Sequence, residues 1–551
     1  MEETTMSLLD RKKALAVCGG IILIGGIFAV TAHSKSTKTA TAQHLNLYET
    51  ATIASLDTAK ITDSVSSNTL SQVGEGLYRL DANSQAENAL ATKTTVTNDG
   101  HTYTIKLKPN TKWSNGQPVT AQDFVYSWER MLNPKSKSEF TYQFANIKNA
   151  TAIAAGKKAP STLGVKAVGK YQLKITLSKP ASYFKRMLAS TTYYPLNKAA
   201  VEKYGNQYGS SAKTTVYNGP FVLKNWTGTN DNWKLVKNPA YSAAKTVKLS
   251  SINYQVIKAS STAYNLYQSK KLDTVTLNGE ETTQNKNNQD LKSLAAGRIG
   301  FMQYNEKNRL TANATLRRAI SLAINRQQLT SKVLKDGSKP AKTFAIHNML
   351  KNPKTGADFT TDAQVANTAD YNPTLAKQLY QKALKQLGKH HVTLTLTCQD
   401  DDTTKNLAEF IQSSLTSKLG LKVTVQALPF QTMLGNISKG NFEMNLTGWS
   451  MDYADPIQSL QILTSTNNSN MGHYNSRTYD QAIQHAEGTD ALNKSARYQD
   501  LIKAAKTAMT DQAVTPLYEA HTSTLVNPKV KGVIYNKFNG SADYRQAYVA
   551  N

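Results

Sequence analysis

The run Gly448-Trp449-Ser450-Met451-Asp452-Tyr453-Ala454-Asp455-Pro456 gathers glycine, aromatics and two carboxylates in one short stretch. Asp452 and Asp455 are close enough in sequence to be weighed as an acid/base pair. That chemistry needs a group to activate, and nothing near them in sequence is a primed nucleophile. One fixed negative charge in a crevice, suited to a cationic group, is the better reading of Asp452. No other stretch supplies a reaction centre. The chain has no H-E-x-x-H, no G-x-x-x-x-G-K-[ST] and no G-x-S-x-G. Of its nine histidines only His390 and His391 are close, and neighbours on a strand point to opposite faces, so they read as a polar strand start. Two cysteines, Cys18 and Cys398, exclude both a disulfide framework and a thiolate zinc site. Tyr103, Trp113, Tyr126 and Trp128 read as core aromatics rather than a ligand box.

The elements leading into this run are legible. Asn372 is placed as an N-cap with Pro373 at the first helical position. Leu375, Ala376, Leu379, Tyr380, Ala383, Leu384 and Leu387 mark one helix face, and Gly388 stops it. Val392, Leu394 and Leu396 alternate as a strand. A second helix carries Leu407, Phe410, Ile411, Leu415 and Leu419, closed by Gly420. The strand Leu421–Val425, a helix from Phe430 to Ser438 and a strand with Phe442, Met444 and Leu446 follow. Short α-β-α-β connections imply a mainly parallel sheet with packed helices. Ligands bind beyond the carboxyl ends of such strands, which puts Gly448–Pro456 at a crevice. Earlier, Thr92–Val96 and Thr102–Lys108 flank Asn98-Asp99-Gly100 as a hairpin. Phe221–Leu223 and Trp233–Val236 form a second β region, joined through Gly228.

The chain has 551 residues, 40% hydrophobic and 19% charged, so it is neither disordered nor collagen-like. At roughly 100–200 residues per domain, it holds about three to five domains or lobes. Lys and Arg total 65 against 38 Asp and Glu, a net charge of +27. The lysines are spread along the chain instead of forming a nucleic-acid-binding arm. They describe a basic surface attracted to anionic cell-wall polymers or lipid head groups. Arg11-Lys12-Lys13 precedes an uncharged run from Ala14 to Ala32, the layout of an export signal. Three fates are open: cleavage after Ala32 or Ala42, retention as an anchor, or lipidation of Cys18. The last fits poorly, because Val17 precedes the cysteine and the apolar run follows it. Lys35–Gln43 reads as a tether.

Further motifs carry a resemblance. Asp99-Gly100-His101-Thr102-Tyr103 leads to Lys112-Trp113-Ser114-Asn115-Gly116-Gln117-Pro118-Val119-Thr120-Ala121-Gln122-Asp123-Phe124. Asn218-Gly219-Pro220-Phe221, Lys237-Asn238-Pro239, Leu316-Arg317-Arg318-Ala319, Gly448–Pro456 and Pro516-Leu517-Tyr518 follow in order. From Leu45 to the C-terminus the chain resembles the family 5 extracytoplasmic solute-binding proteins, the oligopeptide- and dipeptide-binding receptors of ABC importers. The resemblance implies an α/β, two-lobed periplasmic-binding-protein-like fold with hinge strands and an additional N-terminal inserted domain. Lobe I would comprise 45–64, 197–278 and 521–551, the insert 65–196, and lobe II 279–520. It implies a non-enzymatic, exported monomer on the outer face of the cytoplasmic membrane or in the cell wall of a bacterium, Gram-positive by its context. A peptide ligand and permease subunits are the implied partners, beside the anionic wall polymers that the charge suggests, with no cofactor, metal or nucleic acid. By resemblance Asp452 holds the peptide α-ammonium group. Thr52, Ile53, Ala54, Gly448, Trp449 and Ser450 meet the ligand backbone, and Tyr453 and Tyr518 face the cleft.

The resemblance breaks at one point. Enteric oligopeptide receptors carry basic residues near this run that meet the peptide carboxylate; here Leu446 and Thr447 precede Gly448, and Ile437 occupies the helix before. Lys307 and Arg309 are the expected substitutes. Other readings are a receptor for haem, metal chelates or sugars, a peptide-pheromone receptor, and a basic wall-associated adhesin.

Overall fold

The computed structural model describes residues 43–97 and 99–551. The apolar run, Cys18 and all but the last residue of the tether lie outside the described residues. Among the described residues no helix is long and apolar enough to cross a membrane.

The described chain opens with β1 (His44–Glu49) and α1 (Ser64–Val73), whose N-cap Asp63 accepts the Ser66 N–H. The expected hairpin is β2 (Ala91–Val96) and β3 (Thr102–Leu107), with Val96 opposite Tyr103. Its turn residue Asn98 is outside the described residues. Next come α2 (Ala121–Leu132), β4 (Val165–Ala167) and β5 (Gln172–Thr176), giving an antiparallel sheet of order β2-β3-β5-β4. Trp113, Trp128 and Tyr103 are buried against this sheet, and Trp128 meets Phe124, Phe144 and Tyr193 edge-on. Tyr126 is partly buried in a smaller neighbouring cluster. A second sheet joins β6 (Phe221–Lys224), β7 (Asn232–Lys237) and β8 (Ser251–Val256) to β1, in the order β1-β8-β7-β6.

The third sheet holds the candidate site. Its strands begin with β9 (Thr274–Leu277), β10 (Leu291–Tyr304) and β11 (Lys339–Pro340). The alternation read from sequence follows: α3 (Pro373–Leu387), β12 (Thr393–Gln399), α4 (Asp402–Leu419), β13 (Lys422–Leu428), α5 (Phe430–Ser438) and β14 (Met444–Ser450). A helical hairpin, α6 (Arg477–Glu487) and α7 (Lys494–Thr510), precedes the last long strand, β15 (Val514–Val526). The Asn372 side chain accepts the Leu375 N–H, and Gly388 ends α3 at φ 64°, a conformation open to glycine at little cost. Ala376, Tyr380, Ala383, Leu384 and Leu387 face a core shared with α4 and with Leu394 and Leu396 of β12.

The strand order is β9-β15-β10-β14-β12-β13, with β11 beside β15. The sheet is mixed, not mainly parallel. β12 runs parallel to β13 and β14, but β10 is antiparallel to both β14 and β15. Periodicity within the βα units does not show that an earlier strand completes the sheet. β10 and β15 both extend past the others, and their pairing breaks between Ala295 and Ile299, where Gly297 adopts φ 62°.

Candidate functional site

β14 runs through Ser450, so Gly448, Trp449 and Ser450 lie within the strand, not beyond it. On one side they pair with β10: Gly448 with Gly300, Trp449 with Ile299, Ser450 with Arg298. On the other side β12 pairs only with Met444 and Asn445. From Leu446 to Ser450, that edge has no strand partner among the described residues. Alternate backbone N–H and C=O groups there are available to another chain.

Ser450, Met451 and Asp452 form one wall of a cavity of about 610 Å³. The facing walls come from Thr58–Gln72, from Phe140 and Gln143, from Arg186–Tyr194 and from Ile534–Asp543. A shallower concavity of about 700 Å³ between α3 and the end of α4 is lined by lysines and glutamines, with Ser417 and Lys418 from α4. It contains none of the candidate residues and has no charge pair to discriminate a ligand.

The two carboxylates of the motif have different surroundings. Asp455 is fully buried. It accepts from Arg497 Nη1 and Nη2 at 3.0 and 2.8 Å, from Arg186 Nη2 at 3.0 Å and from the Ile457 N–H at 3.1 Å. Burial pushes its pKa up, but Arg497 and Arg186 outweigh that and hold it below the ordinary range. Asp455 is thereby committed to the protein interior. Asp452 has no ion-pair partner among the described residues. It stands at the cavity wall, open to water yet closely walled by protein. Desolvation raises its pKa, and a hydrogen bond from Tyr142 offsets part of that rise. Its backbone N–H donates to Gln458 Oε1 at 2.9 Å, fixing the turn that presents the carboxylate. Such a carboxylate gains from a cation brought to it.

The other expected residues are placed as follows. Trp449 packs against the core and donates its indole N–H to the Gln458 carbonyl at 2.8 Å. Tyr453 is buried and stacked on Tyr183, ring centroids 5.0 Å apart, and does not line the cavity. Tyr518, opposite Gly300, lays its ring where a side chain on Gly300 would stand. Thr52 donates its hydroxyl to the Asn230 carbonyl, Ile53 is core, and the Ala54 N–H donates to Ser66 Oγ. None of these three lines the cavity. Lys307 and Arg309 follow the far end of β10. Six residues separate Tyr304 from Arg298, roughly 20 Å at ~3.3 Å per residue. Neither lines the cavity.

Sequence reasoning missed the facing wall. Ile61, Thr62, Asp63 and Ser64 lead into α1 along the cavity, and the second carboxylate oxygen of Asp63 is buried without a hydrogen-bond partner. An N-cap aspartate followed by a polar helix is a readable helix start, but nothing local marks it as facing Asp452.

Comparison with known proteins agrees with this fold. Residues 85–471 match the family model described as bacterial extracellular solute-binding proteins, family 5 Middle. A dipeptide-binding protein of Lactococcus lactis subsp. cremoris (strain MG1363) is 36% identical over 545 residues, covering 96% of this chain and 98% of the relative. Among solved structures, Listeria monocytogenes OppA bound to peptide is 36% identical at a TM-score of 0.73, covering 93% of this chain and 100% of that one. The murein tripeptide-binding protein MppA in its unliganded open form is 29% identical, yet its TM-score is 0.80, covering 93% and 98%. Fold, motif order and coverage lead to one conclusion: the chain belongs to the bacterial extracellular solute-binding proteins of family 5.

Proposed function

We infer that this chain is an extracytoplasmic peptide-binding receptor serving an ABC importer, and that Asp452 captures the free α-ammonium group of the peptide. It binds and does not catalyse. The observation that carries the reading is a carboxylate with no ion-pair partner among the described residues, on the cavity wall at the end of a strand whose outer edge is open. A peptide laid on Leu446–Ser450 completes the sheet through its backbone, which all peptides share. Its amino terminus then meets Asp452. Two lobes closing about β10 and β15 trap the ligand, and the closed form delivers it to membrane permease subunits. The apolar N-terminal run, as signal or anchor, holds the receptor on the outer face of the membrane. The peptide-binding names of the relatives support the ligand class.

The test is titration of Asp452→Asn with free-amine and N-acetylated versions of one peptide. Losing one partner of an enclosed charge pair costs about 2–5 kcal/mol, so the free amine should bind roughly 30- to several-thousand-fold more weakly. The acetylated peptide should bind wild type poorly and lose little more in the variant. Equal binding of the free amine by both proteins would move the anchor elsewhere. Indifference of wild type to acetylation would favour haem, chelate or sugar ligands.

A further inference from the structure

Amine capture leaves the other end of the peptide unaccounted for. Lys307 and Arg309 follow the end of β10 remote from Arg298, and Leu446 and Ile437 carry no charge. Arg186 lines the cavity, but its guanidinium is already bound to Asp455. The strand beside β14 supplies the missing cation. Arg298 is exposed, pairs across the ladder with Ser450 and donates from Nη1 to Ser450 Oγ at 3.1 Å. It makes no ion pair among the described residues. Its side chain crosses diagonally onto β14 and lies over Gly448. A Cβ on Gly448 would sit 2.5 Å from Nη2 and 2.6 Å from Cζ. Gly448 therefore makes the space through which the guanidinium reaches toward the open edge. Tyr518 flanks it on the same face: burial raises the Tyr518 pKa, and the nearby Arg298 charge offsets part of that rise.

We propose that Arg298 binds a carboxylate of the peptide, forming with Asp452 a pair of opposite charges that reads a short zwitterionic ligand. This rests on amine capture at Asp452. With the amine there, the peptide runs back along β14, antiparallel to it, and reaches Gly448. Gly448 and Asp452 are four residues apart, ~13 Å of extended chain, and both side chains reach inward, so the charges suit a ligand of about two to four residues. Guanidinium is the fitting group, because its fork meets both carboxylate oxygens at once. The carboxylate belongs either to the C-terminus or to an acidic side chain near the second residue.

The test is calorimetric titration of the full receptor and of Arg298→Gln with trialanine, trialanine amide, and the amides of Ala-Glu-Ala and Ala-Gln-Ala. Arg298→Lys and a thermal melt accompany it as controls for shape and folding. If the C-terminus is the partner, Arg298→Gln weakens trialanine ~10- to 100-fold and leaves its amide unchanged. If the side chain is the partner, the loss appears with the glutamyl amide and not with the glutaminyl amide. Either pattern supports the proposal, with Arg298→Lys retaining part of the affinity. Equal binding of every peptide by wild type and Arg298→Gln overturns it. In that case, strong weakening by Asp452→Asn shows that amine capture still stands. No effect of Asp452→Asn either means that reading has failed as well.

Discussion

Asp452 and Asp455 are three residues apart and chemically opposite. Asp455 faces two arginines that have no other ion-pair partner among the described residues, so its removal strands both. Breaking a buried ion pair from one side typically costs about 3–5 kcal/mol, and Asp455→Asn should lower the unfolding free energy by that order in denaturant titrations. The pH dependence follows from its lowered pKa. A carboxylate held below its unfolded value contributes its full stability above that value, ~3.9, and loses it as pH falls through the folded pKa. The stability gap between wild type and Asp455→Asn should therefore be flat from about pH 5 to 8 and close below about pH 4. A gap that persists in strong acid would show that packing, not charge, is what the substitution removed. The sequence singled out Asp452 as a fixed charge, but nothing local showed that Asp455 is tied up in the interior. The difference lies in Arg186 and Arg497, far off in the chain, and in Tyr142 reaching Asp452 from yet another segment.

At the scale of elements, β14 has a paired side and an open side. An extended ligand added to the open side would turn every second backbone N–H toward the strand. A tetraalanine series with one N-methyl group moved along the peptide nitrogens should alternate. Methylation of a nitrogen facing β14 should cost about 1–3 kcal/mol, roughly ten- to a hundredfold in affinity by calorimetry, and methylation of its neighbour little. Uniform losses along the series would rule out strand addition. The helices and strands from Pro373 to Ser450 were readable because caps, stops and periodicity are local. Asn372, Gly388 and Gly420 each do their work within a turn of where they stand. What escaped was register. Only the pairing of β10 with β14 puts Arg298 against Ser450 and over Gly448, and a strand carries no mark of its partner. For the same reason no local signal showed that Ile61–Ser64 line the cavity with Asp452.

For the whole molecule, the bulge at Ala295–Ile299 with Gly297 at positive φ gives β10 and β15 a place to bend without disrupting either end. A ligand that touches both cavity walls favours the conformation in which both are within reach. Small-angle scattering of ligand-free receptor should show its radius of gyration fall when a binding tripeptide is added to saturation. A constant radius would remove hinge closure from the mechanism. The scattering curve of Asp452→Asn should shift only at the higher peptide concentrations its weaker affinity demands.

The open edge of β14 has a consequence for what the receptor carries. Peptidases also take their substrates as extended strands, and aminopeptidases need the free amine. A peptide zipped onto β14 with its amine on Asp452 has already surrendered both handles. The receptor then acts as armour for its cargo between capture and release. In a mixture with an aminopeptidase, the lifetime of a bound tripeptide should be set by how often it leaves the cleft, and the excess beyond receptor capacity should be digested first.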